Sequence, residues 1–473
     1  MEKVPFIKLI DYFGECYVYD VNRDNILKIS DGLYTYLQDL LAGKAQECKD
    51  EAVLAEYRTL KEEGYLSSRK MEVLQHPATE TLPYLLERRM HTMTLQVTQS
   101  CNLRCSYCIY SETNNEKQRS HSGKRMSLET ALKAVDFLAE HSVDSERINI
   151  GFYGGEPVLA MDLIRFVVDY AEDIFSGKEL HFSITTNATL LTEEIAEYFE
   201  KHNFLLTISL DGPKEIHDQS RRFADGGGTF DTVVKNLEMI WKKYGGAKGR
   251  IGINMVMNPK NSFRAINQLF QESDVFTRGV VRATVVDDFY SEEKNQFSED
   301  FFTESEYQFF LSYLSRRDKS LKGKMSPIAQ QELDRLEDMM DKMGKRDSLT
   351  QMGAPGGPCI PGRQRMFIDA DGNFYPCERV SEKSAVMRIG NLTEGFELEK
   401  IHQMINISQL TAEACKNCWA AMKCTQCIKY ADAGDTLSAE ARLAHCEKVR
   451  AGILSDFKKI ILLHELDRSE RGD

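Results

Sequence analysis

Between residues 92 and 290, short apolar runs rich in β-branched residues alternate with segments whose apolar positions recur at steps of three and four. MTLQVT (93–98), INIGFY (148–153), LHFSIT (180–185), LLTISL (205–210), IGINMVM (251–257) and GVVRATVV (279–286) predict strands. Residues 127–141 predict a helix with Leu128, Ala131, Leu132, Val135, Leu138 and Ala139 on one face. Strand–helix alternation implies parallel strands with right-handed crossovers. Six such runs make an incomplete α/β barrel or an open sheet.

Residues 1–75 predict a small independent α+β module. FIKLI (6–10), ECYVYDV (15–21) and NILKIS (25–30) read as strands, the last two joined through NRDN (22–25) as a hairpin. Helices follow around 32–42 and 50–63, the second with Val53, Leu54, Tyr57 and Leu60 on one face. That order suits a winged-helix-like unit. Residues 76–91 (HPATETLPYLLERRMH) are a linker, and 291–350 predict a solvated helical bridge. From 351 to 473, GAPGGPC breaks the chain, a cysteine-rich unit with few apolar runs follows, and a helix closes it. A unit so short of core is expected to need metal to hold it.

Composition narrows the function classes. The 473 residues are 42% apolar and 28% charged, an ordinary globular balance. The net charge of −13, from 60 basic and 73 acidic side chains, argues against a nucleic-acid surface. Residues 1–65 hold 13 acidic and 8 basic side chains, which favours a protein or peptide partner over DNA for the winged-helix-like unit. No apolar run approaches the roughly 18 residues of a membrane span, and the first residues lack a signal-peptide layout. The expected location is the cytoplasm, with no membrane partner. Twelve cysteines in such a chain, ten of them clustered at 101–108 and 359–446, point to metal or metal–sulfur ligation rather than disulfides.

The first cluster, Cys101-x3-Cys105-x2-Cys108, directly follows the first barrel strand, at the end where α/β folds place ligands. Three thiolates can hold three irons of a 4Fe-4S cluster and leave the fourth open to a chelating amine and carboxylate. The alternative is a zinc site with its fourth ligand elsewhere. The second strand ends in Gly154-Gly155-Glu156-Pro157, suited to a ligand amine. The third ends in Thr186-Asn187. The fourth ends in Ser209-Leu210-Asp211-Gly212-Pro213, suited to ribose hydroxyls, and Arg221 beyond it could clamp a carboxylate. The second cluster reads Cys359-x12-Gly372-x4-Cys377, then Cys415-x2-Cys418-x5-Cys424-x2-Cys427, then Cys446. A zinc ribbon is the alternative there. Its pairs usually stand about 15–20 residues apart, and seven thiolates overfill one zinc site and underfill two.

With Tyr107 before the third cysteine, GGEP and SLDGP…HD–R, the chain resembles radical S-adenosylmethionine (SAM) enzymes. The resemblance implies a partial (β/α)6 barrel in which Cys101, Cys105 and Cys108 hold the first cluster. It places Tyr107, Gly154, Gly155, Glu156, Asn187, Ser209, Asp211 and Arg221 around SAM, with Glu156 and both glycines facing its amine. The C-terminal cysteines are similar to the SPASM domain, which implies two auxiliary clusters and three 4Fe-4S clusters in all. By that match Cys359, Cys377 and Cys427 hold the first auxiliary cluster, and Cys415, Cys418, Cys424 and Cys446 the second. The last spacing is x2 where that family usually has x3. SLTQMGAPGGP, upstream of Cys359, supplies no further thiol, so an open iron able to bind a substrate thiolate is expected.

Glu378, next to Cys377, stands where sulfatase-maturing relatives carry a catalytic base. The N-terminal module resembles the recognition element of enzymes that modify ribosomally made peptides, which binds a leader as an added strand. HPATETL…LQVTQSCNLRCSYC resembles maturases of the sactipeptide and ranthipeptide type. The implied activity is a thioether crosslink in a precursor peptide, with flavodoxin or ferredoxin as electron donor. Other radical modifications on the same scaffold are the alternative: a carbon–carbon crosslink, epimerisation or formylglycine formation.

Overall fold

Three antiparallel strands, β1 (Ile7–Tyr12), β2 (Glu15–Asp20) and β3 (Asn25–Lys28), open the chain in that spatial order. The computed structural model describes residues 4–44, 48–108, 110, 121–244, 250–272, 274–276, 278–291, 294–321, 325–356 and 359–471. Phe13 and Gly14, both at positive φ (+54° and +76°), make the two-residue turn that matches strand twist between β1 and β2. Helices α1 (Asp31–Leu41) and α2 (Glu51–Glu62) start where Ser30 and Asp50 accept backbone N–H groups of the first turn.

The strands are apolar at both alternating sets of positions. Ile7, Val18 and Ile29 pack with Leu33 and Leu37 of α1, whereas Phe6, Ile10, Tyr17 and Tyr19 face the C-terminal half of the chain. There the Tyr19 ring lies 4.4 Å from Phe457 on the last helix, α11 (Cys446–Arg471). The sequence suggested an independent module; the structure instead joins its second set of apolar residues to Phe457 and its neighbours. The module's second face is core for the rest of the protein.

The six middle strands are β4 (Thr92–Thr98), β5 (Arg147–Gly154), β6 (Glu179–Thr186), β7 (Phe204–Ser209), β8 (Ile251–Met257) and β9 (Val280–Val285), all parallel in consecutive order. Between them run α3 (Leu128–His141), α4 (Met161–Ile174), α5 (Glu193–Lys201), α6 (Lys214–Ser220), α7 (Phe230–Lys243) and α8 (Phe263–Glu272). This is a partial (β/α)6 barrel. It does not close on itself. The outer edge of β4 is taken by β10 (Phe367–Ile368) from the cysteine-rich unit, with Phe367 opposite Thr94 and Ile368 opposite Leu95. Antiparallel β11 (Asn373–Tyr375), β12 (Gly390–Asn391) and β13 (Gly395–Phe396) complete a ten-stranded sheet.

Two sequence expectations are corrected here. The cysteine-rich unit is not short of core: Met366, Phe367, Phe374, Met387, Ile401 and Ile405 belong to the same buried cluster as Leu95 and Ile150. Its apolar runs are only two or three residues long, so they read as loop until the sheet gathers them. The 291–350 bridge is not simply solvated either. Phe309 and Tyr313 of α9 (Glu299–Leu314) and Leu333 and Leu336 of α10 (Pro327–Lys342) are buried with Tyr19 and Phe457. Residues 292–293 and 322–324 of that segment lie outside the described residues. No helix among the described residues is long and apolar enough to cross a membrane.

Candidate functional site

The C-terminal ends of β4 to β7 converge on the Cys101–Cys108 loop. The loop is strapped to the segment after α6: the Arg104 N–H donates to the Arg222 carbonyl (2.8 Å), Ser106 N–H to Ser220 (3.0 Å), and Ala224 N–H to Asn102 (3.0 Å). Backbone N–H groups of Leu103 and Tyr110 point at the sulfurs of Cys101 (3.3 Å) and Cys108 (3.4 Å). Burial pushes the Cys101 thiol up to about 12 and Cys105 up to about 11. As free thiols they hold their protons, and binding of iron must displace them.

The GGEP turn lies directly against the start of this loop. Gly155 N–H donates to Thr98 (2.8 Å) and Glu156 N–H to Ser100 (2.9 Å). A Cβ on Gly154, which has φ +144°, would stand 2.0 Å from the Thr98 carbonyl oxygen; one on Gly155 would stand 2.2 Å from that of Ser100. The glycines thus let two backbones meet. Glu156, 1% exposed, accepts from the Thr186 hydroxyl (2.7 Å), Asn187 N–H (2.8 Å) and Val158 N–H (3.1 Å), while burial raises its carboxyl. The Asn187 amide donates to Asn102 Oδ1 at 2.9 Å and points at Cys101 Sγ at 3.9 Å. Ser209 is buried at the end of β7.

Asp211 and Arg221 are brought together, and with each other first. Arg221 Nε donates to Asp211 Oδ2 at 2.8 Å, the Tyr107 hydroxyl donates to the same oxygen, and Val256 N–H donates to Oδ1 at 3.0 Å. Both carboxylate oxygens are therefore occupied. Arg221 also lies over the Tyr107 ring (5.4 Å) and 4.0 Å from Cys105 Sγ. Burial holds the Tyr107 hydroxyl well above its ordinary value, so it stays a donor. Behind the pair, buried His217 accepts from Asp211 N–H (3.2 Å) and meets the Thr229 hydroxyl (3.0 Å), and burial lowers the imidazole to about 4, so it is neutral.

The cysteine-rich domain supplies two further thiol groups. Cys377, pushed up to about 12 by burial, is within electrostatic reach of Cys427, and Cys424 is within reach of Cys415 and Cys418. Cys359 is exposed. Cys446 begins α11, and its thiol points at the Arg442 carbonyl (3.9 Å). Among the described residues no three His, Cys, Asp or Glu side chains surround a point fit for one metal ion. The sign of an anionic group here is Arg442, 1% exposed beside these thiols, whose Nη1 has no partner among the described residues. The residues present fit iron–sulfur clusters.

Glu378, next to Cys377, lines a cavity of about 220 Å³ together with Thr94, Gly151, Tyr153, Ser183 and Arg365. Its carboxylate accepts from Arg365 Nη1 (3.3 Å). Sequence reasoning missed Gln96 and Glu382. Gln96, fully buried in β4, donates to Glu382 Oε1 (2.5 Å) and to the Tyr110 hydroxyl (3.1 Å), joining the barrel to the cysteine-rich domain. A glutamine between Leu95 and Val97 in the first barrel strand was the available signal.

Residues 95–272 match the Radical SAM superfamily, and residues 359–419 match the SPASM iron–sulfur cluster-binding domain. The chain carries a radical SAM domain and a SPASM domain. Cys424, Cys427 and Cys446 lie beyond the matched SPASM segment. The cysteine-type anaerobic sulfatase-maturating enzyme of Clostridium perfringens (strain 13 / Type A) is 28% identical over 76% of this chain and 94% of its own length. Its counterpart from Clostridium novyi (strain NT) is 34% identical over 36% of this chain and 44% of its own. The radical SAM cyclopropyl synthase TigE of Paramaledivibacter caminithermalis is 30% identical over 32% of this chain and 33% of its own. The solved structure of native anSMEcpe with bound AdoMet and Cp18Cys peptide has the same fold: TM-score 0.55, 23% identity, 78% of this chain and 99% of that one. The radical SAM and SPASM domains imply SAM and iron–sulfur clusters as cofactors.

Proposed function

We propose that this radical SAM/SPASM protein is a maturase that installs a thioether crosslink in a ribosomally made peptide. The observation that carries the peptide reading is the N-terminal sheet, outside both matched domains, packed directly on the cysteine-rich domain. Lys70 Nζ donates to Asn417 Oδ1 (2.6 Å), between Cys415 and Cys418, and Asp24 pairs with Lys423 (2.9 Å), beside Cys424. Among the described residues β1 and β3 each have one strand neighbour, so each offers an edge to a peptide strand. A leader held there lies in the same body as the cavity beside Glu378.

When bound and reduced, the first cluster with SAM supplies a 5′-deoxyadenosyl radical that takes a hydrogen atom from a peptide carbon. The crosslinking cysteine loses its thiol proton to Glu378 and forms the carbon–sulfur bond. Cys359, Cys377 and Cys427, and Cys415, Cys418, Cys424 and Cys446, would hold two auxiliary clusters, which would supply an acceptor for the electron left when the carbon–sulfur bond forms. Cys101, Cys105 and Cys108 hold the first cluster. Glu156, Asn187 and Ser209 surround SAM, and Arg221, braced by Asp211, serves its carboxylate. Flavodoxin or ferredoxin supplies the electron that starts turnover.

Incubated anaerobically with a cysteine-containing precursor peptide, the protein should remove about two mass units per crosslink and protect that cysteine from alkylation. Glu378→Gln should stop the crosslink while 5′-deoxyadenosine still forms. Free thiol after turnover overturns the thioether reading. The named sulfatase-maturating relatives favour a second reading, oxidation of a cysteine to formylglycine, and there the product would lose its sulfur and react with a hydrazide. Because the module's inner face is core, Leu9→Pro on the β1 edge tests leader binding better than deletion of the module, which would uncover Phe457.

A further inference from the structure

Arg442 is among the largest fully buried side chains of the described protein. Its Nε donates to the Thr411 hydroxyl (3.2 Å), which itself meets Cys415 Sγ at 3.3 Å, and its Nη2 donates to the Pro355 carbonyl (3.2 Å). Nη1 has no partner among the described residues, and neither of the other two nitrogens meets a carboxylate. Gly356 keeps this place open: at φ +82°, a Cβ there would stand 2.7 Å from Arg442 Nη2. A guanidinium buried without a counter-charge is costly, so a negative group is expected against it.

The thiols supply that group. The Arg442 carbonyl receives the Cys446 thiol at 3.9 Å, and Thr411 links its Nε to Cys415 Sγ. A second arginine, Arg450, stands one turn after Cys446 on α11. The other cysteine group is different. Its nearby cations are already paired: Arg365 with Glu378 (3.3 Å), Arg379 with Glu378 (3.8 Å) and Lys429 with Asp287.

An iron–sulfur cluster gains negative charge on reduction, and its potential is set by net charge, hydrogen bonds to sulfur and exposure. Cations lacking a carboxylate partner favour the reduced form. We propose that Arg442, with Arg450, raises the reduction potential of the cluster held by Cys415, Cys418, Cys424 and Cys446 above that of the cluster at Cys377 and Cys427, so that it is the auxiliary centre reduced first. This rests on those four cysteines being its ligands.

The test is a potentiometric titration of the anaerobically purified full chain, followed by electron paramagnetic resonance, with iron and sulfide measured in parallel. Arg442→Gln should destabilise the reduced form about tenfold, moving one auxiliary transition down by about 59 mV for one electron, with iron content unchanged. Arg442→Lys should move the same transition less, and Arg450→Gln should move it in the same direction without disturbing the core. Transitions that stay in place in both glutamine variants, with iron retained, overturn the proposal. So does loss of about four irons from both Arg442 variants while Arg450→Gln leaves the potential unmoved, which makes Arg442 a structural strut. Cys418→Ser checks the ligand assignment separately. If it leaves the Arg442-sensitive transition intact, the assignment has failed rather than the arginine's effect.

Discussion

Gly155→Ala is expected to cost at least about 3 kcal/mol of stability and to strip iron from the Cys101–Cys108 loop. The added methyl carbon would stand 2.2 Å from the Ser100 oxygen, 2.6 Å from its carbonyl carbon and 2.8 Å from the Gln99 oxygen. All three are backbone atoms, so no rotamer change relieves the contact. The two chains must part, breaking the Gly155–Thr98 and Glu156–Ser100 hydrogen bonds and displacing the residue just before Cys101. The effect should appear twice, as a lower unfolding midpoint and as about four fewer irons per chain. Gly452→Ala is the control: nothing lies within 4 Å of its added carbon, and in a helix the change should be neutral or stabilising by up to about 1 kcal/mol. Full iron content and an unmoved midpoint in Gly155→Ala would show that the two backbones do not depend on this approach.

The sequence revealed what local pattern encodes. All six barrel strands were legible because short runs rich in apolar and β-branched residues alternate with segments of helical periodicity. Their chemistry was legible because each motif follows its strand directly. What it concealed is pairing across distance. Phe367 and Ile368 look too short for a strand until they lie along Thr94 and Leu95. Ala329, Leu333 and Leu336 already have helical spacing within an acidic segment, but only Phe457 and Tyr19 show what covers them. Asp211 and Arg221 were both legible as site residues. Which of their oxygens and nitrogens would be spent on each other was not, because an ion pair depends on where two loops end. Arg442 carries no sequence signal at all: ARLAHC reads as an ordinary helical turn before a cysteine.

Asp211→Ala should cost about 3–5 kcal/mol, the largest single effect expected for a polar substitution in this site. Asp211 is 2% exposed and Arg221 8%, so water cannot replace the lost carboxylate. Removing it strands the guanidinium of Arg221 without a counter-charge and orphans the Tyr107 hydroxyl and the Val256 N–H. Asp211→Asn keeps an acceptor but not the charge, and should fall between. Arg221→Met together with Asp211→Ala removes both charges, so the double variant should recover much of the loss and leave the two substitutions strongly non-additive. It should not recover SAM binding, because Arg221, 4.0 Å from Cys105 Sγ, is the group that meets the cofactor's carboxylate in the proposed arrangement. Denaturant unfolding of the anaerobic protein and equilibrium SAM binding separate these outcomes. Stability changes that add within about 0.5 kcal/mol would mean that Asp211 does not brace Arg221, and would return its carboxylate to the ribose.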